Sequence, residues 1–369
     1  MELDEQILPM RTQIDAIDKQ ILSLLNRRAS LAQEIGEIKE KNNAPVFKPE
    51  REKAIMHSLE KSNAGPLTDI SIGNIWREII SACRSLEGES NVAFLGPSGT
   101  FSEQAMFSYF GKYTRGISCS NIDDVFKTIE TNQTQFAIVP IENSSEGSVS
   151  RTLDLLLGTS VKIIGEVIIG ITHHLLSQHI DFKQAITHAR VIGAHPQALA
   201  QCQQFLNSNP QLRNLERKAM ASNALAAELA AHDQTILAIA GEQAAQQYHL
   251  YKVKQHIQDE INNRTRFIVL GHNSPPPSGN DQTSLMFSIY NEAGSILKAI
   301  APFGKYGVSM SRLQSRPAKQ KTSHSKDWEY HFAVDIDGHI EDVRISEALE
   351  EVKQNVKFLK WLGSYAKIT

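Results

Sequence analysis

The sequence predicts a multidomain protein in which an all-α part, an α/β part and an α+β part follow one another along 369 residues. Residues 5–88 repeat apolar side chains at helical spacing, and from residue 91 short apolar runs alternate with helical segments. After a proline-rich stretch at 272–282, a third pattern in the order βαββαβ begins. A chain of this length is too long for one ordinary core, so two or three domains are expected.

The composition excludes several classes of protein. Hydrophobic residues make up 41% and charged residues 21%, and the net charge of -3 gives no bulk field that would attract nucleic acid. Three separated cysteines and the absence of HExxH indicate neither disulfides nor a metal site, and no cofactor is expected. The amino terminus lacks the build of a signal peptide, and no apolar run approaches the ~20 residues of a membrane helix. We therefore expect a cytoplasmic protein.

The first helix carries an apolar seam in which the steps alternate between three and four residues. The seam residues are Ile7, Met10, Ile14, Ile17, Ile21, Leu24, Leu31, Ile35 and Ile38. A helix from Glu5 to Lys41 would be about 55 Å long and could not bury this seam alone, so a partner chain is expected. Helices over Pro49–Ser62 and Thr68–Glu87 should follow.

Cations interrupt this seam. Arg28 occupies a seam position, and Lys39, eleven residues further on, shares its face. A buried cation without a partner costs several kcal/mol, so we expect an anion there, although Lys39 could also be a solvated end of the stripe. Arg11 points about 100° away and could reach the same anion only from another chain.

Two carboxylates belong to the same part of the sequence. Glu52 lies in the first turn of the second helix, where it either serves a site or stabilises the helix N-terminus. Glu87 shares an apolar face with Cys83, Ile80 and Trp76. The alternative for Glu87 is an exposed residue at a frayed helix end.

The span 5–88, with the stretches MRTQIDAIDKQILSLLNRRASLAQEIGEIK and PVFKPEREKAI, resembles the all-helical chorismate mutases. The resemblance implies an intertwined homodimer, or a higher homo-oligomer, that holds chorismate between helices of both chains. It implies that Arg28 and Arg11 of the other chain grip the two carboxylates. Lys39 would contact the ether oxygen and Glu52 the ring hydroxyl.

Three positions depart from some members of that family: Lys48 stands in place of Asp, Cys83 in place of Ser, and Glu87 in place of Gln. A carboxylate cannot donate a hydrogen bond to the ether oxygen, so Glu87 could take the glutamine's role only when protonated. This predicts that mutase activity falls as pH rises.

Four polar motifs are expected at the carboxyl ends of strands in the α/β part or in the segments just after them, where open α/β sheets build their sites. Each has a plain alternative: a helix cap, a partnered carboxylate, a surface glutamine or a polar loop. The motifs are GPSGTFSEQA (96–105) with Thr100, VPIENSSEGSV (139–149) with Glu142 and Asn143, AHPQALAQC (194–202) with Gln201, and NNRTRF (262–267) with Thr265.

Together these motifs resemble prephenate dehydratase across 91–271. The resemblance implies two α/β lobes with a cleft, as in periplasmic binding proteins. It places Thr265 in an essential TRF motif, with Asn143 and Gln201 as polar site residues accompanied by Glu142. Prephenate loses CO2 and hydroxide to become phenylpyruvate, and a threonine hydroxyl can assist the departing hydroxide. Arg264 or Arg266 would then hold the carboxylates.

Residues 283–369 resemble an ACT regulatory domain of ferredoxin-like fold. The stretches NEAGSIL (291–297) and LQSRP (313–317) carry the resemblance, with Gln314 in place of a family glutamate. The resemblance implies that phenylalanine binds between paired chains as a feedback inhibitor. The effector residues would be Gly294, Ser295, Ser315 and Arg316. The alternative is a purely structural unit.

These patterns predict a chorismate mutase domain over 1–89, a prephenate dehydratase domain over 91–271 and an ACT domain over 283–369. One chain would thus convert chorismate to prephenate and then to phenylpyruvate. Two other classes of protein share some of these features. A non-catalytic amino-acid sensor would not need the charged seam, and a fusion of the mutase to a dehydrogenase would need a GxGxxG fingerprint that is missing.

Overall fold

The computed structural model describes residues 3–42, 44–317 and 330–367. Contacts divide the chain into two compact units, which are considered separately. The first contains Met1–Ser90 together with Phe110–Arg115, and the second contains Asn91–Tyr109 with Gly116–Thr369.

The first unit is helical, as predicted. Its helices are α1 (Leu3–Lys41), α2 (Pro49–Ser62) and α3 (Asp69–Glu87). Thr68 caps α3 by accepting a hydrogen bond from the Ser71 N–H. Helix α1 packs closely on the end of α3 because Gly36 has no side chain; a Cβ there would overlap the Glu87 carbonyl.

The apolar seam of α1 is uncovered in one chain. Eight of its nine residues are 47–65% exposed: Met10, Ile14, Ile17, Ile21, Leu24, Leu31, Ile35 and Ile38. Apolar side chains repeated along one helix face normally pack against another element. The partner chain expected from the sequence would cover this seam and stays a prediction.

The second unit begins with an α/β region whose strands and helices alternate. Its strands are β1 (Asn91–Leu95), β2 (Arg115–Cys119), β3 (Phe136–Asn143), β4 (Gly147–Ser148), β5 (Lys162–Gly170), β6 (His174–Ser177), β7 (Val191–Ala194), β8 (Glu216–Ala219), β9 (Ile236–Ala240), β10 (Tyr251–Lys254) and β11 (Arg264–Gly271). Its helices are α4 (Phe101–Phe110), α5 (Ile122–Glu130), α6 (Ser150–Gly158), α7 (Phe182–His188), α8 (Pro196–Gln201), α9 (Gln203–Ser208), α10 (Pro210–Arg213), α11 (Asn223–His232) and α12 (Glu242–Gln247).

Two sheets form the two predicted lobes. The first lobe has the strand order β2-β1-β3-β11-β5, with β4 paired to β3, and the second has β10-β6-β9-β7-β8. The alternation of short strands and helices from residue 91 predicts mostly parallel pairing, and this prediction is wrong. Strand β11 runs antiparallel to both β3 and β5, and β6 runs antiparallel to both of its neighbours. The cause is that the chain leaves the first lobe through β5 and returns through β11 in the opposite direction.

The C-terminal segment (residues 281–367) follows the predicted βαββαβ order. Its elements are β12 (Asp281–Ser288), α13 (Ser295–Lys305), β13 (Met310–Pro317), β14 (Tyr330–Asp337), α14 (Val343–Asn355) and β15 (Phe358–Ala366). The strand predicted at WEYHFAVDI begins with Trp328 and Glu329, which lie outside the described residues. The sheet order is β13-β14-β12-β15, with antiparallel neighbours.

This third sheet packs on one face of the first-lobe sheet. Ile268 and Leu270 of β11 share a core with Met286 and Ala333 of the C-terminal segment. Strand β15 approaches β5 so closely that a Cβ at Gly363, which has φ +155°, would overlap the Ile163 carbonyl. The C-terminal segment is therefore an integral layer of the second unit.

The lobes are joined by two crossing stretches of chain, one between β5 and β6 and one between β10 and β11. The two crossings are hydrogen-bonded to each other, since the Ile171 N–H donates to the Asn263 carbonyl at 2.8 Å. Across the described residues, none of the helices has both the length and the apolar character needed to cross a membrane.

Candidate active sites

In the helical unit, the structure brings together charged side chains from all three helices. Lys39 Nζ donates to Glu87 Oε2 at 2.5 Å and to the Val46 carbonyl at 2.8 Å. The side chains of Lys39 and Glu87 are 18% and 17% exposed, so this is a sheltered ion pair rather than a solvated one. The predicted convergence of α1 and α3 at these two residues is thus present within one chain.

Glu52 belongs to the same group. Burial raises its pKa above the ordinary value, Arg84 and Arg28 act in the opposite direction, and Glu87 raises it further. Two cations and a second carboxylate are therefore close enough to act on Glu52. Arg28 is partly buried, as expected of a seam position.

Sequence reasoning missed Arg84. Its side chain is 5% exposed, forms an ion pair with Glu52, and also donates to the Phe110 carbonyl and to Thr114 Oγ1. Its guanidinium lies 4.7 Å from the centroid of the Phe47 ring. The sequence held one indication of this role: Arg84 directly follows Cys83 on a helix with a strongly apolar face.

The other three predicted mutase residues lie apart from this group or beside it. Arg11 is exposed and lies 3.4 Å from Asp4. It precedes Arg28 by about 25 Å of helix, at 1.5 Å per residue, so one chain does not bring the two together. Lys48 is exposed at the start of α2, whereas Cys83 is buried in α3, one turn before Glu87.

In the second unit, a cavity of about 390 Å³ lies between the two lobes. Four predicted residues line it: Thr100, Asn143, Gln201 and Thr265. Thr100 also caps α4, accepting from the Glu103 N–H at 3.5 Å and donating to the Leu95 carbonyl at 3.2 Å. The motifs that seemed separate in the sequence therefore meet at one site.

Thr265 and Asn143 face each other across paired strands. Asn143 Nδ2 donates to Thr265 Oγ1 at 2.8 Å and to Asn263 Oδ1 at 2.8 Å. The orientation of this amide is fixed, because its Oδ1 accepts from the backbone N–H groups of Ser145 and Glu146 at 3.0 and 3.1 Å. Since Thr265 Oγ1 is the acceptor in this bond, its own proton is available to the cavity.

The expectation that all four motifs lie at carboxyl ends of strands or just after them is wrong for NNRTRF. NNRTRF lies at the amino end of β11, not at a carboxyl end. Because β11 is antiparallel to β3, its amino end adjoins the carboxyl end of β3, and Thr265 pairs with Asn143.

The second lobe presents Gln201 together with His173, which the sequence analysis did not select. Gln201 Oε1 lies 3.0 Å from His173 Nε2, and the Gln201 carbonyl accepts from the Asp259 N–H at 2.6 Å. His173 is 2% exposed, and its burial lowers its pKa below the usual value, so the imidazole is neutral near pH 7. This pair faces the first lobe across the cavity.

Glu142 and Arg266 do not line this cavity. Side chains alternate between the two faces of a strand, so they point away from the face that carries Asn143 and Thr265. They line a different cavity of about 270 Å³, together with Glu166, Arg312 and Asp335 among others. Arg264 is exposed and lines neither cavity.

The predicted effector residues occupy two places in the C-terminal segment. Gly294 has φ +81° and stands at the N-cap of α13, where Ser295 is buried. Ser315 is exposed on β13. Arg316 forms an ion pair with Asp154 and donates to the Ser150 carbonyl at 2.7 Å, so it is engaged with α6.

Comparison with known proteins agrees with this architecture. The family model for chorismate mutase type II matches residues 10–88, and the model for prephenate dehydratase matches residues 92–275. A bifunctional chorismate mutase/prephenate dehydratase of Neisseria gonorrhoeae is 44% identical over 365 residues, which cover 98% of each chain.

Two solved structures each cover three quarters of this chain. The prephenate dehydratase of Arthrobacter aurescens in complex with L-Phe is 29% identical with a TM-score of 0.65, covering 75% of this chain and 90% of that one. GqqA, described as a novel type of quorum-quenching acylase, is 26% identical with a TM-score of 0.66, covering 75% of this chain and 98% of its own.

The fold and the sites define a two-part enzyme of aromatic metabolism, with a helical unit joined to a two-lobed α/β unit. The chain belongs to the family of bifunctional chorismate mutase/prephenate dehydratases. It rearranges chorismate to prephenate, and it decarboxylates and dehydrates prephenate to phenylpyruvate.

Proposed function

We propose that Thr265 is the residue that assists departure of hydroxide from prephenate, and that Asn143 aligns it. The observation that carries this assignment is the Asn143–Thr265 hydrogen bond of 2.8 Å at the wall of the interlobe cavity. Asn143 supplies the donor in this bond, which leaves the threonine hydroxyl free to donate a hydrogen bond to the hydroxide as it departs. Loss of CO2 at the opposite ring carbon then completes the aromatic ring, which provides the driving force.

Gln201 and His173 would contact the substrate from the second lobe. Of the residues described along the cavity wall, none is a lysine or arginine. The carboxylates of prephenate are therefore held by neutral donors such as Ser222, Asn223 and the backbone N–H groups that begin α11. This replaces the cationic clamp of Arg264 or Arg266, since neither side chain faces the cavity.

For the mutase reaction, we propose that Arg28 and Lys39 bind chorismate together with Glu52 and Glu87. The cluster is partly buried and strongly charged, so each group would act on the folded conformer of chorismate with little screening by solvent. No covalent step is needed for a pericyclic rearrangement, and holding the reactive conformer suffices.

The remaining mutase contact would come from a second chain. In an intertwined homodimer the exposed seam of α1 is covered, and Arg11 of the other chain completes the site. Cys83 and Lys48 would lie at its edge. We place the mutase domain at 1–89, the dehydratase domain at 91–271 and an ACT domain at 283–369, all in the cytoplasm.

The C-terminal segment would act as a ferredoxin-like ACT domain that binds phenylalanine as a feedback inhibitor. Support comes from its βαββαβ order and strand order, and from the L-Phe held by the Arthrobacter dehydratase. Gly294, Ser295, Ser315 and Arg316 are the proposed contacts. Phenylalanine should lower dehydratase activity in the full chain, and Gly294→Val should weaken that response.

The dehydratase assignment is tested by giving the purified full chain chorismate and following prephenate and phenylpyruvate. Thr265→Ala should accumulate prephenate at the normal rate and form almost no phenylpyruvate, because the mutase residues are untouched. A near-normal rate of phenylpyruvate formation in this variant would refute the role of Thr265.

A further inference from the structure

The residues next to Thr265 and Asn143 form a second cross-strand pair on the opposite face of the sheet. In the β3–β11 register, Thr265 lies opposite Asn143 and Arg266 lies opposite Glu142. The first pair faces the interlobe cavity, and the second faces the C-terminal segment. The two pairs are adjacent along both strands, so a shift in the backbone of the second pair also moves the first pair.

Both members of this second pair are held by the C-terminal segment. Arg312 Nε of β13 lies 3.1 Å from Glu142 Oε2, and Asp335 Oδ2 of β14 lies 2.7 Å from Arg266 Nη1. Arg312 Nη1 also lies 3.8 Å from Asp335 Oδ2, which joins the two contacts into one network. Asp335 is oriented by the Ser284 hydroxyl, which donates to its Oδ1 at 2.6 Å.

This network is sheltered from solvent on the side of the C-terminal segment. The side chains of Arg312, Arg266 and Asp335 are 13%, 15% and 6% exposed, and that of Glu142 is 39% exposed. Arg266 is further held by Glu166 at 2.6 Å and by the Tyr365 hydroxyl at 3.1 Å. Charges at such positions are weakly screened, so the geometry of their partners is strongly constrained.

We propose that Arg312 and Asp335 are positioning residues for dehydration: through Glu142 and Arg266 they fix Asn143 and Thr265 in the reactive arrangement. The C-terminal segment would then contribute to the alignment of the dehydratase site even when no effector is bound. This inference rests on the proposed roles of Thr265 and Asn143. A displacement of about 1 Å at a reacting group can cost up to about a hundredfold in rate, so a modest loosening has a measurable effect.

The test measures both activities of the full chain in Arg312→Gln, Glu142→Gln and the double variant. Each single change should lower dehydratase kcat about tenfold with little change in KM, because alignment rather than binding is lost. The double variant should be no worse than either single variant, since both remove the same interaction. Arg312→Lys should recover part of the rate, and mutase activity should stay normal throughout.

Lys360→Gln is the matched control. Lys360 is also a cation of the C-terminal segment that contacts the first lobe, donating to the Leu157 and Thr159 carbonyls at 2.9 and 2.5 Å. These contacts do not involve β3 or β11. Lys360→Gln should leave dehydratase kcat within about twofold of wild type, as expected for a contact that does not align the site.

Three results would overturn the proposal: an unchanged dehydratase kcat in Arg312→Gln, losses that multiply in the double variant, or an equal loss in Lys360→Gln. The outcome for Thr265→Ala distinguishes a failure of this positioning role from a failure of the proposed catalytic role of Thr265. If Thr265→Ala is inactive and Arg312→Gln is normal, only the positioning role fails. If Thr265→Ala is active, the assignment fails and takes this inference with it.

Discussion

The Asn143 side-chain amide donates to the Thr265 hydroxyl from the neighbouring strand, at 2.8 Å. Because two backbone N–H groups fix the amide by its oxygen, its nitrogen can only be a donor to Thr265. The direction of this hydrogen bond decides where the threonine proton is available, and it leads to the first two predictions.

Asn143→Asp should lower dehydratase kcat by about two to three orders of magnitude, the scale for losing one aligned donor in an active site. A carboxylate at this position cannot donate a hydrogen bond to Thr265 Oγ1. It would instead accept a hydrogen bond from the threonine hydroxyl, which would then point away from the substrate. Steady-state kinetics with prephenate measures this change. Asn143→Asp with normal kcat would contradict the proposed direction of the bond.

Thr265→Ser and Thr265→Val distinguish the contribution of the hydroxyl to dehydratase activity from that of the side-chain shape. Serine keeps the hydroxyl and should retain activity within about tenfold, whereas valine keeps the β-branch and should lose at least a hundredfold, the range for general acid assistance. Both should keep normal mutase activity. Equal rates for the serine and valine variants would show that the hydroxyl is not used.

Glu87→Gln should keep or raise mutase activity. In the wild type Lys39 Nζ is paired with Glu87 Oε2 at 2.5 Å, and a carboxylate in an ion pair cannot donate to the ether oxygen of chorismate. The amide of glutamine can donate to that oxygen, and it leaves the positive charge of Lys39 to the substrate. Initial rates from chorismate test this, with dehydratase rates on prephenate as the control. A mutase kcat at least about tenfold lower in Glu87→Gln would exclude this role of Glu87.

His174→Asn should reduce the acid sensitivity of folding in the second unit. Burial, His256 and Lys252 lower the pKa of His174 from 6.5 to about 4. Between these values the unfolded chain binds a proton that the folded chain does not, so stability is lost as pH falls from 6.5 towards 4. The contribution is at most one proton, or about 1.4 kcal/mol per pH unit.

The measurement is the free energy of unfolding, from denaturant titrations at several pH values. Asparagine Oδ1 can accept the hydrogen bond that the His256 N–H now donates to His174 Nδ1 at 3.2 Å, so the fold is preserved. The variant should lose less stability than the wild type as pH falls through this window. Parallel pH dependences would show that His174 does not titrate in this way.

Much of this arrangement was predictable from local patterns. The seam of α1, the apolar face of α3 and the polar ends of strands pointed to Lys39, Glu87, Asn143 and Thr265, because helical and strand periodicities are local properties. Strand alternation also contained the information that Arg266 faces away from Thr265, although the motif as a whole suggested a shared site.

The remainder depended on distant pairings. The partner of Arg266 is Asp335, on the third sheet, and no spacing in the sequence relates the two. The antiparallel insertion of β11 likewise follows from the return of the chain to the first lobe. Arg84 directly follows Cys83 on a helix with an apolar face, but its partners, Glu52 and the Phe110 carbonyl, are distant in the sequence, so its role there was not predicted.

The hydrogen bond between Ile171 and Asn263 joins the two passages of chain between the lobes. Asn143 and Thr265 lie on strands of the first lobe, whereas Gln201 belongs to the second lobe. A rotation about these passages would move Gln201 relative to the other two side chains. Such a rotation would widen the interlobe cavity for substrate or product and would leave the hydrogen bond between Asn143 and Thr265 intact.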